Sequence, residues 1–429
     1  SMRYTYLSVV LILLLAVCGC GETDSRRNVI VIIIDTLRAD HLGCYGYGRN
    51  TSPAVDSLAA EGVRWEYPTA QANWTLPAIA SIYSGLSTRS HGVMMSDDYV
   101  TWGMDPEMPT MATVLSDHGY STGGFVNVYL ISERLGFHRG FQRFYVNYMG
   151  HGMAGETVDQ FLQWREEDDS GRPFFTVIHL YDVHDPYDPP APYDTFYTEE
   201  GARGLTTWTR TVEDHPADPE EKDHLMGLYD GEINWVDSQL SRVFSWLRDS
   251  GQAGNTLVVF TSDHGEAFLE REGRGGILHR SLYQEIVRVP LIMAGPGIPS
   301  GEVRDDPVGQ FDIFPTLLAY LEIDLQPGLD GMDILSEEVP DDRVLPTSRF
   351  RADRASVTRS GRKVMWCART DSSWMYDLSA DPMEQHPLPP DSAVLDRVLD
   401  FYATPCRWEP TPRDSSEVKS MLRDLGYLR

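Results

Sequence analysis

Residues 28–34 read Asn-Val-Ile-Val-Ile-Ile-Ile and run directly into Asp35. A continuous run of β-branched residues is typical of a strand that is buried on both faces, as in a parallel sheet. A second run of this kind, residues 256–260, leads into Thr-Ser-Asp263-His264-Gly-Glu. Because ligands collect at the carboxyl ends of parallel strands, we expect Asp35, Asp263 and His264 to meet in one crevice.

A reactive hydroxyl is expected in residues 73–85, which read Asn-Trp-Thr-Leu-Pro-Ala-Ile-Ala-Ser-Ile-Tyr-Ser-Gly. Pro77 suits the first position of a helix and Gly85 its C-terminal cap, which places Thr75 just before the helix. Free backbone N–H groups and the positive end of the helix dipole favour an anion there. A Thr in this place is most often only an N-cap. Beside two strand-end Asp residues and a His, it alternatively completes a metal site.

Together these segments resemble the sulfatase family, which belongs to the alkaline phosphatase superfamily. The resemblance covers nearly the whole mature chain and continues in motifs at residues 179–187, 279–292, 295–299, 312–316 and 375–382. It implies an α/β/α sandwich of the alkaline-phosphatase type, with a smaller C-terminal subdomain built on an antiparallel sheet. The alternation of strand and helix patterns from Asn28 onward favours the same α/β class.

The resemblance also implies a metal site. Sulfatases hold one divalent cation beside the nucleophile, and the matching positions in this chain are Asp35, Thr75, Asp263 and His264. The second Asp that usually follows the first is Thr36 here. This donor set is closer to a mixed nitrogen and oxygen site than to an all-oxygen calcium cage. We expect one divalent ion, calcium, zinc or manganese.

Three further residues match positions with a role in the family's active site. His184 and His279 match positions that contact the anion or the leaving group. Together with Asp182 they alternatively hold a second metal, as in some phosphatases of the superfamily. Arg38 is expected to pair with Asp35 or with the anion, and an ordinary salt bridge is the alternative.

The chain departs from the family pattern at the nucleophile. Active sulfatases carry Cys-x-Pro-x-Arg, in which the Cys is oxidised to formylglycine; those places are Thr75, Pro77 and Ile79 here. Threonine cannot become formylglycine, so none is expected. Two substrate-facing lysines of the family correspond to Asn127 and His279.

Three functions remain open at this point. The first is a sulfatase-like, metal-dependent hydrolase of sulfate or phosphate/phosphonate esters, with Thr75 as the nucleophile. The second is a transferase that moves a phospho-headgroup in the bacterial envelope. The third is a catalytically inactive, sulfatase-like binding protein.

Composition narrows the class of partner. The chain has 429 residues, enough for a large core, and a net charge of −28. That charge argues against a nucleic-acid surface and against a surface for anionic membranes. We therefore expect a small anionic ester as the substrate, no nucleic acid, and membrane association only through a lipid anchor. Beyond residue 20, Cys44, Cys367 and Cys406 indicate neither a metal-type spacing nor a disulfide framework.

The N-terminal segment has the pattern of an export signal. Arg3 precedes an apolar stretch, residues 7–17, that is too short to favour a membrane span. The following Val-Cys-Gly-Cys20 resembles a bacterial lipobox with Cys20 as the lipidated residue; the alternative is plain signal cleavage nearby. We expect export to the bacterial cell envelope, in the periplasm or as an outer-membrane lipoprotein.

The domain organisation follows from the same patterns. We expect a signal peptide at residues 1–20, a tether at 21–27, a sulfatase-like catalytic domain at 28–340 and a C-terminal subdomain at 341–429. Periodicity predicts helices over residues 53–62, 111–118, 233–247, 311–321, 393–402 and 416–425. It predicts strands over residues 123–128, 174–180 and 289–293, and an antiparallel sheet over 349–377. Residues 188–230 are polar and contain prolines, which indicates a surface insertion over the site.

Overall fold

The structure is a computed structural model. It describes residues 26–94, 101–198, 219–271, 277–279, 281–340, 343–349, 353–358, 361–368, 370–403 and 405–413. The strands are β1 Asn28–Ile34, β2 Val63–Trp65, β3 Thr101–Gly103, β4 Ser121–Val126, β5 Arg143–Val146, β6 Phe174–Leu180, β7 Thr256–Ser262, β8 Ala267–Phe268, β9 Ile277–Leu278, β10 Leu291–Ala294, β11 Glu302–Arg304, β12 Val344–Ser348, β13 Asp353–Thr358, β14 Arg362–Cys367, β15 Ser372–Asp377 and β16 Thr411–Arg413. The helices are α1 Pro53–Ala60, α2 Thr75–Ser84, α3 Thr88–His91, α4 Met111–Asp117, α5 Ala154–Glu167, α6 Pro219–Asp249, α7 Gln284–Val287, α8 Ile313–Tyr320 and α9 Ser392–Ala403.

The central feature is a large sheet with β1 in its middle. In the described part of the chain, eight strands form it in the order β11-β2-β10-β7-β1-β6-β4-β5. β1 runs parallel to both β6 and β7, whereas β10 runs antiparallel to its neighbours. The register pairs Ile34, the last residue of β1, with Leu180 of β6 and with Ser262 of β7. The carboxyl ends of these three strands therefore reach the same edge of the sheet.

Alternate side chains of β1 enter two different cores. Val29, Val31 and Ile33 lie in one core with side chains of α2, α4 and α8. The intervening isoleucines lie in the other core with side chains of α1, α5 and α6. A strand made only of large apolar residues suits a position covered on both faces, since neither face meets water. The predicted α/β/α sandwich is confirmed.

The smaller C-terminal part is built on an antiparallel sheet of β12, β13, β14 and β15. One face of this sheet is covered by α9, whose Val398 is buried with Val364 and Met375. The chain then returns to the larger part, where β16 pairs with β3. The predicted antiparallel sheet is confirmed, whereas the domain boundary at residues 340 and 341 stays a prediction.

Two element predictions need correction. The helix expected to begin at Pro77 begins at Thr75, because the backbone is extended up to Trp74 (φ −162°) and turns helical directly after it. Pro77 is tolerated there because the first N–H groups of a helix have no intrahelical acceptor. The expected surface insertion at 188–230 contains the start of the long helix α6 at Pro219. The predictions for residues 1–20 and 416–425 lie outside the described residues.

Candidate active site

Three neighbouring strands bring the ionisable residues of the site together. Asp35 follows β1, Asp263 follows β7, and His179 is the penultimate residue of β6. The register places His179 opposite Ile33 and Ser262 opposite Ile34, so all three side chains lie at the carboxyl edge of the sheet. His264 comes next along the chain. All four residues are fully buried.

Polar atoms of these residues lie close together around the carboxylate of Asp35. The Nε2 atom of His264 lies 3.9 Å from Asp35 Oδ1 and 3.5 Å from Asp263 Oδ2. The Nε2 atom of His179 lies 3.9 Å from Asp35 Oδ2. Asp35, His179 and Asp263 each present one potential ligand atom, and these three atoms lie within 4.8 Å of one another.

The surrounding hydrogen bonds engage one polar atom of Asp263 and one of His264 and leave the other atom of each unpaired. The backbone N–H groups of Thr36 and His264 both donate to Asp263 Oδ1. His264 Nδ1–H donates to the carbonyl oxygen of Gly265 at 3.0 Å, which leaves the lone pair on Nε2. Metal-binding histidines are commonly oriented by such a bond from their other ring nitrogen.

These groups fit a divalent cation. Asp35 Oδ1, Asp263 Oδ2, His264 Nε2 and both ring nitrogens of His179 are buried without a hydrogen-bond partner in the described part of the chain. Unpaired buried polar atoms are costly, and here they are two carboxylate oxygens and two imidazoles, each imidazole within 3.9 Å of an Asp35 oxygen. Burial and the charge of Asp263 raise the pKa of Asp35 well above its usual range, whereas burial lowers that of His179 to about 4.

Thr75 is the first residue of α2 and is fully buried beside this cluster. Its hydroxyl donates a hydrogen bond of 3.3 Å to Asp35 Oδ2. Trp74, at the N-cap position, makes no capping hydrogen bond through its side chain. The positive end of α2 therefore faces the cluster without a capping side chain, and this arrangement suits a bound anion.

His184 and His279 extend the site outward from His264. The ring centroids of His264 and His279 lie 4.6 Å apart, and those of His279 and His184 lie 5.5 Å apart. Asn73 Nδ2 donates to the backbone oxygen of His279 at 2.6 Å, which ties this segment to the residues just before Thr75. Burial lowers the pKa of His184 to about 3, so its imidazole is neutral near pH 7.

The alternative of a second metal on His184, His279 and Asp182 is not supported. Asp182 Oδ1 accepts hydrogen bonds from the backbone N–H of Ala154 and from the indole of Trp235. Its Oδ2 accepts one from Asn127 Nδ2 at 2.6 Å. Asp182 therefore joins α5, α6 and the residue that follows β4. Asn127, which the sequence resemblance matched to a lysine, belongs to the same hydrogen-bonded structure.

The pairing of Arg38 with Asp35 is wrong. The guanidinium of Arg38 makes two hydrogen bonds to Asp40, at 2.9 and 2.8 Å, one to the carbonyl oxygen of Glu266 and an ion pair with Glu270. The ordinary salt bridge is therefore the alternative that the structure supports. Glu270 lies 232 residues further along the chain, so the residues around Arg38 gave no sign of this partner.

His179 is the residue of the cluster that sequence reasoning missed. It lies inside a predicted buried strand, where a lone His is usually part of the core. One signal was available, because His179 is a titratable residue one position before the end of an otherwise mostly apolar strand. Neighbouring strands in a parallel sheet end at the same edge as β1. The strand order that places β6 beside β1 was not visible in the sequence.

Comparisons with known proteins agree on family and fold. A family model described as sulfatase matches residues 27–323. An arylsulfatase of Clostridium perfringens is 25% identical over 437 residues, covering 84% of this chain and 89% of the relative. A multifunctional alkaline phosphatase superfamily protein of Trinickia caryophylli is 23% identical over 499 residues, covering 91% and 96%. Among solved structures, the phosphonate monoester hydrolase of Agrobacterium radiobacter has a TM-score of 0.69 at 20% identity, covering 93% of this chain and 96% of that chain.

Proposed function

This chain belongs to the sulfatase family and is an ester hydrolase, and from that premise we propose that it is a metal-dependent phosphate or phosphonate ester hydrolase with Thr75 as its nucleophile. One observation carries the proposal: the Thr75 hydroxyl lies at a helix N-terminus and donates to Asp35 within the buried cluster. The family match favours hydrolysis over the transferase and binding-protein alternatives. Sulfate esters are the second candidate substrate class.

The first step transfers the phosphoryl group to the chain. Thr75 Oγ1 attacks phosphorus, a new O–P bond forms, and the ester oxygen leaves with its bonding pair. The hydroxyl proton passes to Asp35 Oδ2, to which it is already hydrogen-bonded, and the departing oxygen takes a proton from solvent. The N-terminal end of α2 favours the negative non-bridging oxygens. His184 and His279 line the outward side, where we place the leaving group.

The cation has a defined part in this proposal. Asp35, Asp263, His264 and Thr75 would hold it, and it would supply positive charge that favours the ionised Thr75 oxygen and the charged phosphoryl oxygens. The contribution of the chain is to orient these groups in a buried site. Asp263 is held by two backbone N–H groups, and His264 by its bond to Gly265.

The second step sets the expected substrate order. A formylglycine hydrate can expel sulfate with its second hydroxyl, but threonine has no second hydroxyl. Water must therefore attack phosphorus or sulfur directly and lose a proton to solvent, while the bond to Thr75 Oγ1 breaks and the Thr75 oxygen recovers its proton from Asp35. A phosphoryl group carries more negative charge on its oxygens than a sulfuryl group, so it gains more from a cation and a helix N-terminus. Phosphate or phosphonate esters should be cleaved faster than sulfate esters.

A panel of aryl esters with one common leaving group tests this function. Metal-loaded protein should release p-nitrophenolate from the phosphate or phenylphosphonate ester faster than from the sulfate ester. Thr75→Ala should be inactive, whereas Thr75→Ser keeps a hydroxyl and should retain turnover. Ser84→Ala is the matched control, because Ser84 is a buried hydroxyl residue at the other end of α2. Faster Thr75-dependent release from the sulfate would overturn the substrate order, and full activity of Thr75→Ala would overturn the nucleophile.

A further inference from the structure

The residue that follows Asp35 does not contribute its side chain to the cluster. Thr36 Oγ1 donates a hydrogen bond to the carbonyl oxygen of Val183 at 3.0 Å. Its backbone N–H donates to Asp263 Oδ1 at 3.2 Å. Thr36 therefore orients a carboxylate through its backbone, and its own hydroxyl is hydrogen-bonded to Val183. The oxygen atoms near the centre of the cluster come from Asp35, Asp263 and Thr75.

His179 occupies the side of the cluster that β6 forms. Its side chain is fully buried, and neither ring nitrogen has a hydrogen-bond partner among the described residues. The distance of 3.9 Å from Nε2 to Asp35 Oδ2 is too long for a hydrogen bond. A cation shared with Asp35 accounts for the unpaired Nε2 and for this distance, because two ligand atoms at about 2.0–2.2 Å from one ion lie further apart than hydrogen-bonded atoms do.

We propose that His179 is a metal ligand and that, with His264, it makes this a two-imidazole site selective for zinc over calcium. The inference rests on the metal site of the proposed function and deepens it. Calcium takes six to eight oxygen ligands, whereas imidazole nitrogen suits zinc and similar transition metals. Two carboxylates and a hydroxyl supply fewer oxygen groups than calcium takes, whereas imidazole and carboxylate are ordinary ligands of zinc.

Metal binding itself, measured without any substrate, tests the inference. Full-length protein stripped with a chelator is dialysed against equimolar zinc and calcium, and bound metal is determined by elemental analysis. The wild type should retain one zinc per chain and exclude calcium. His179→Gln should bind zinc more than about 100-fold more weakly, since loss of even an outer-shell partner costs about 10–100-fold. His91→Gln is the control, because His91 is equally buried but hydrogen-bonded to Ser81 and Val93.

A second measurement needs no variant and guards against a His179→Gln protein that fails to fold. Pulsed electron paramagnetic resonance of copper(II)-loaded wild type counts the imidazoles bound to the metal, and two are expected. One coupled imidazole, or unchanged zinc affinity in folded His179→Gln, overturns the assignment of His179 while the metal site stands. Wild type that retains calcium as well as zinc overturns the selectivity. Wild type that retains neither metal overturns the metal-dependent function as well.

Discussion

Thr36 adopts a backbone conformation that a β-branched residue rarely takes, with a φ of 51°. Such a conformation costs about 1–3 kcal/mol and persists only where the surroundings enforce it. Here the N–H, the hydroxyl and the carbonyl of Thr36 are all hydrogen-bonded, to Asp263, Val183 and Tyr229. The strained residue lies in the site itself, at the turn that connects Asp35 to the N–H group bound by Asp263.

The acid sensitivity of the fold should trace in part to His91. Val93 N–H donates to His91 Nδ1 at 2.9 Å, so the buried ring is the neutral tautomer with its hydrogen on Nε2. Burial lowers the pKa of His91 to about 3, below the value of about 6.5 in the unfolded chain. The stability that depends on neutral His91 is therefore complete above pH 6.5, roughly. It is lost as the pH falls from there towards the folded pKa.

Urea unfolding of wild type and His91→Gln at pH 7 and pH 5 measures this effect. Between these pH values the wild type should lose about 2 kcal/mol more unfolding free energy than the variant, since one linked proton is worth about 1.4 kcal/mol per pH unit. All other titrating groups are common to both proteins and cancel in the difference. Parallel loss in the two proteins would show that His91 takes up its proton in the folded state.

For single residues, the sequence was sufficient to predict the position of those that directly follow a strand. Asp35, Asp263 and His264 could be placed together because the ends of two buried runs could be read from the apolar pattern alone. His179 and the partner of Arg38 could not, because both depend on which distant segments become neighbours. Strand order determines the contact of His179, and the segment after β8 supplies Glu270 to Arg38.

Among the elements, α2 ends at a glycine with two roles. Gly85 has a φ of +67°, and its N–H bonds to the carbonyl oxygen of Ser81. A Cβ at this position would lie 3.1 Å from Leu329 and 3.2 Å from Phe314. The glycine therefore serves both the left-handed turn that ends the helix and the close approach of α8. It limits how far α2 can shift along its axis, and with it the position of Thr75.

Gly85→Ala should lower the unfolding free energy more than a left-handed glycine alone would require. An L-residue in this conformation costs about 1–2 kcal/mol, and the tight contacts add to that cost. Gly46→Ala is the matched control, because Gly46 has a φ of +93° and a Cβ there would meet no atom within 4 Å. Chemical denaturation of both variants should give a clearly larger loss for Gly85→Ala. Equal losses would remove packing from the explanation.

The end of α2 was predictable and its start was not, for a physical reason. Gly85 is the residue type that a left-handed cap requires, so the sequence marks it. Pro77 is compatible with any position in the first turn, because none of those N–H groups has an intrahelical acceptor. The difference between a helix start at Pro77 and one at Thr75 changes the role of Thr75. Thr75 is the first residue of the helix and not a capping residue before it.

In the whole molecule, a buried ion network joins the C-terminal sheet to the segment that carries His279. Lys363 Nζ lies 2.8 Å from Glu384 Oε1, and both side chains are fully buried. Glu384 Oε2 accepts a hydrogen bond from the backbone N–H of Gln284. Arg271 pairs with both Glu384 and Glu285. Glu384 therefore contacts both Arg271 and Gln284, the two residues that flank the segment carrying His279.

Lys363→Met should destabilise the protein by about 3–5 kcal/mol, because it removes the buried cation that pairs with Glu384 Oε1. Adding Glu384→Gln removes the carboxylate charge and should restore part of the loss, which a double-mutant cycle in urea measures. Arg362→Met is the control, since Arg362 pairs with Asp391 at the surface; exposed pairs contribute about 0–1 kcal/mol. A loss from Lys363→Met no larger than the control would show that the pair contributes little.

The ends of the chain remain predictions. Lipidation of Cys20, the tether at residues 21–27 and export to the envelope fall on residues 1–25, outside the described part, apart from Arg26 and Arg27. Among the described residues, no helix is long and apolar enough to cross a membrane. The division at residues 340 and 341 also stays a prediction, because β16 returns to pair with β3 of the larger part.

The central claim is that Thr75 carries the phosphoryl group during turnover. Metal-loaded protein is mixed with an aryl phosphate, quenched in acid during turnover and digested with trypsin. Cleavage after Arg64 and Arg89 gives a peptide of residues 65–89 that contains Thr75. Mass spectrometry should find a phosphoryl group on Thr75, and none after chelation of the metal. Ester turnover with this peptide unmodified, or with the phosphoryl group on another residue, would contradict the account.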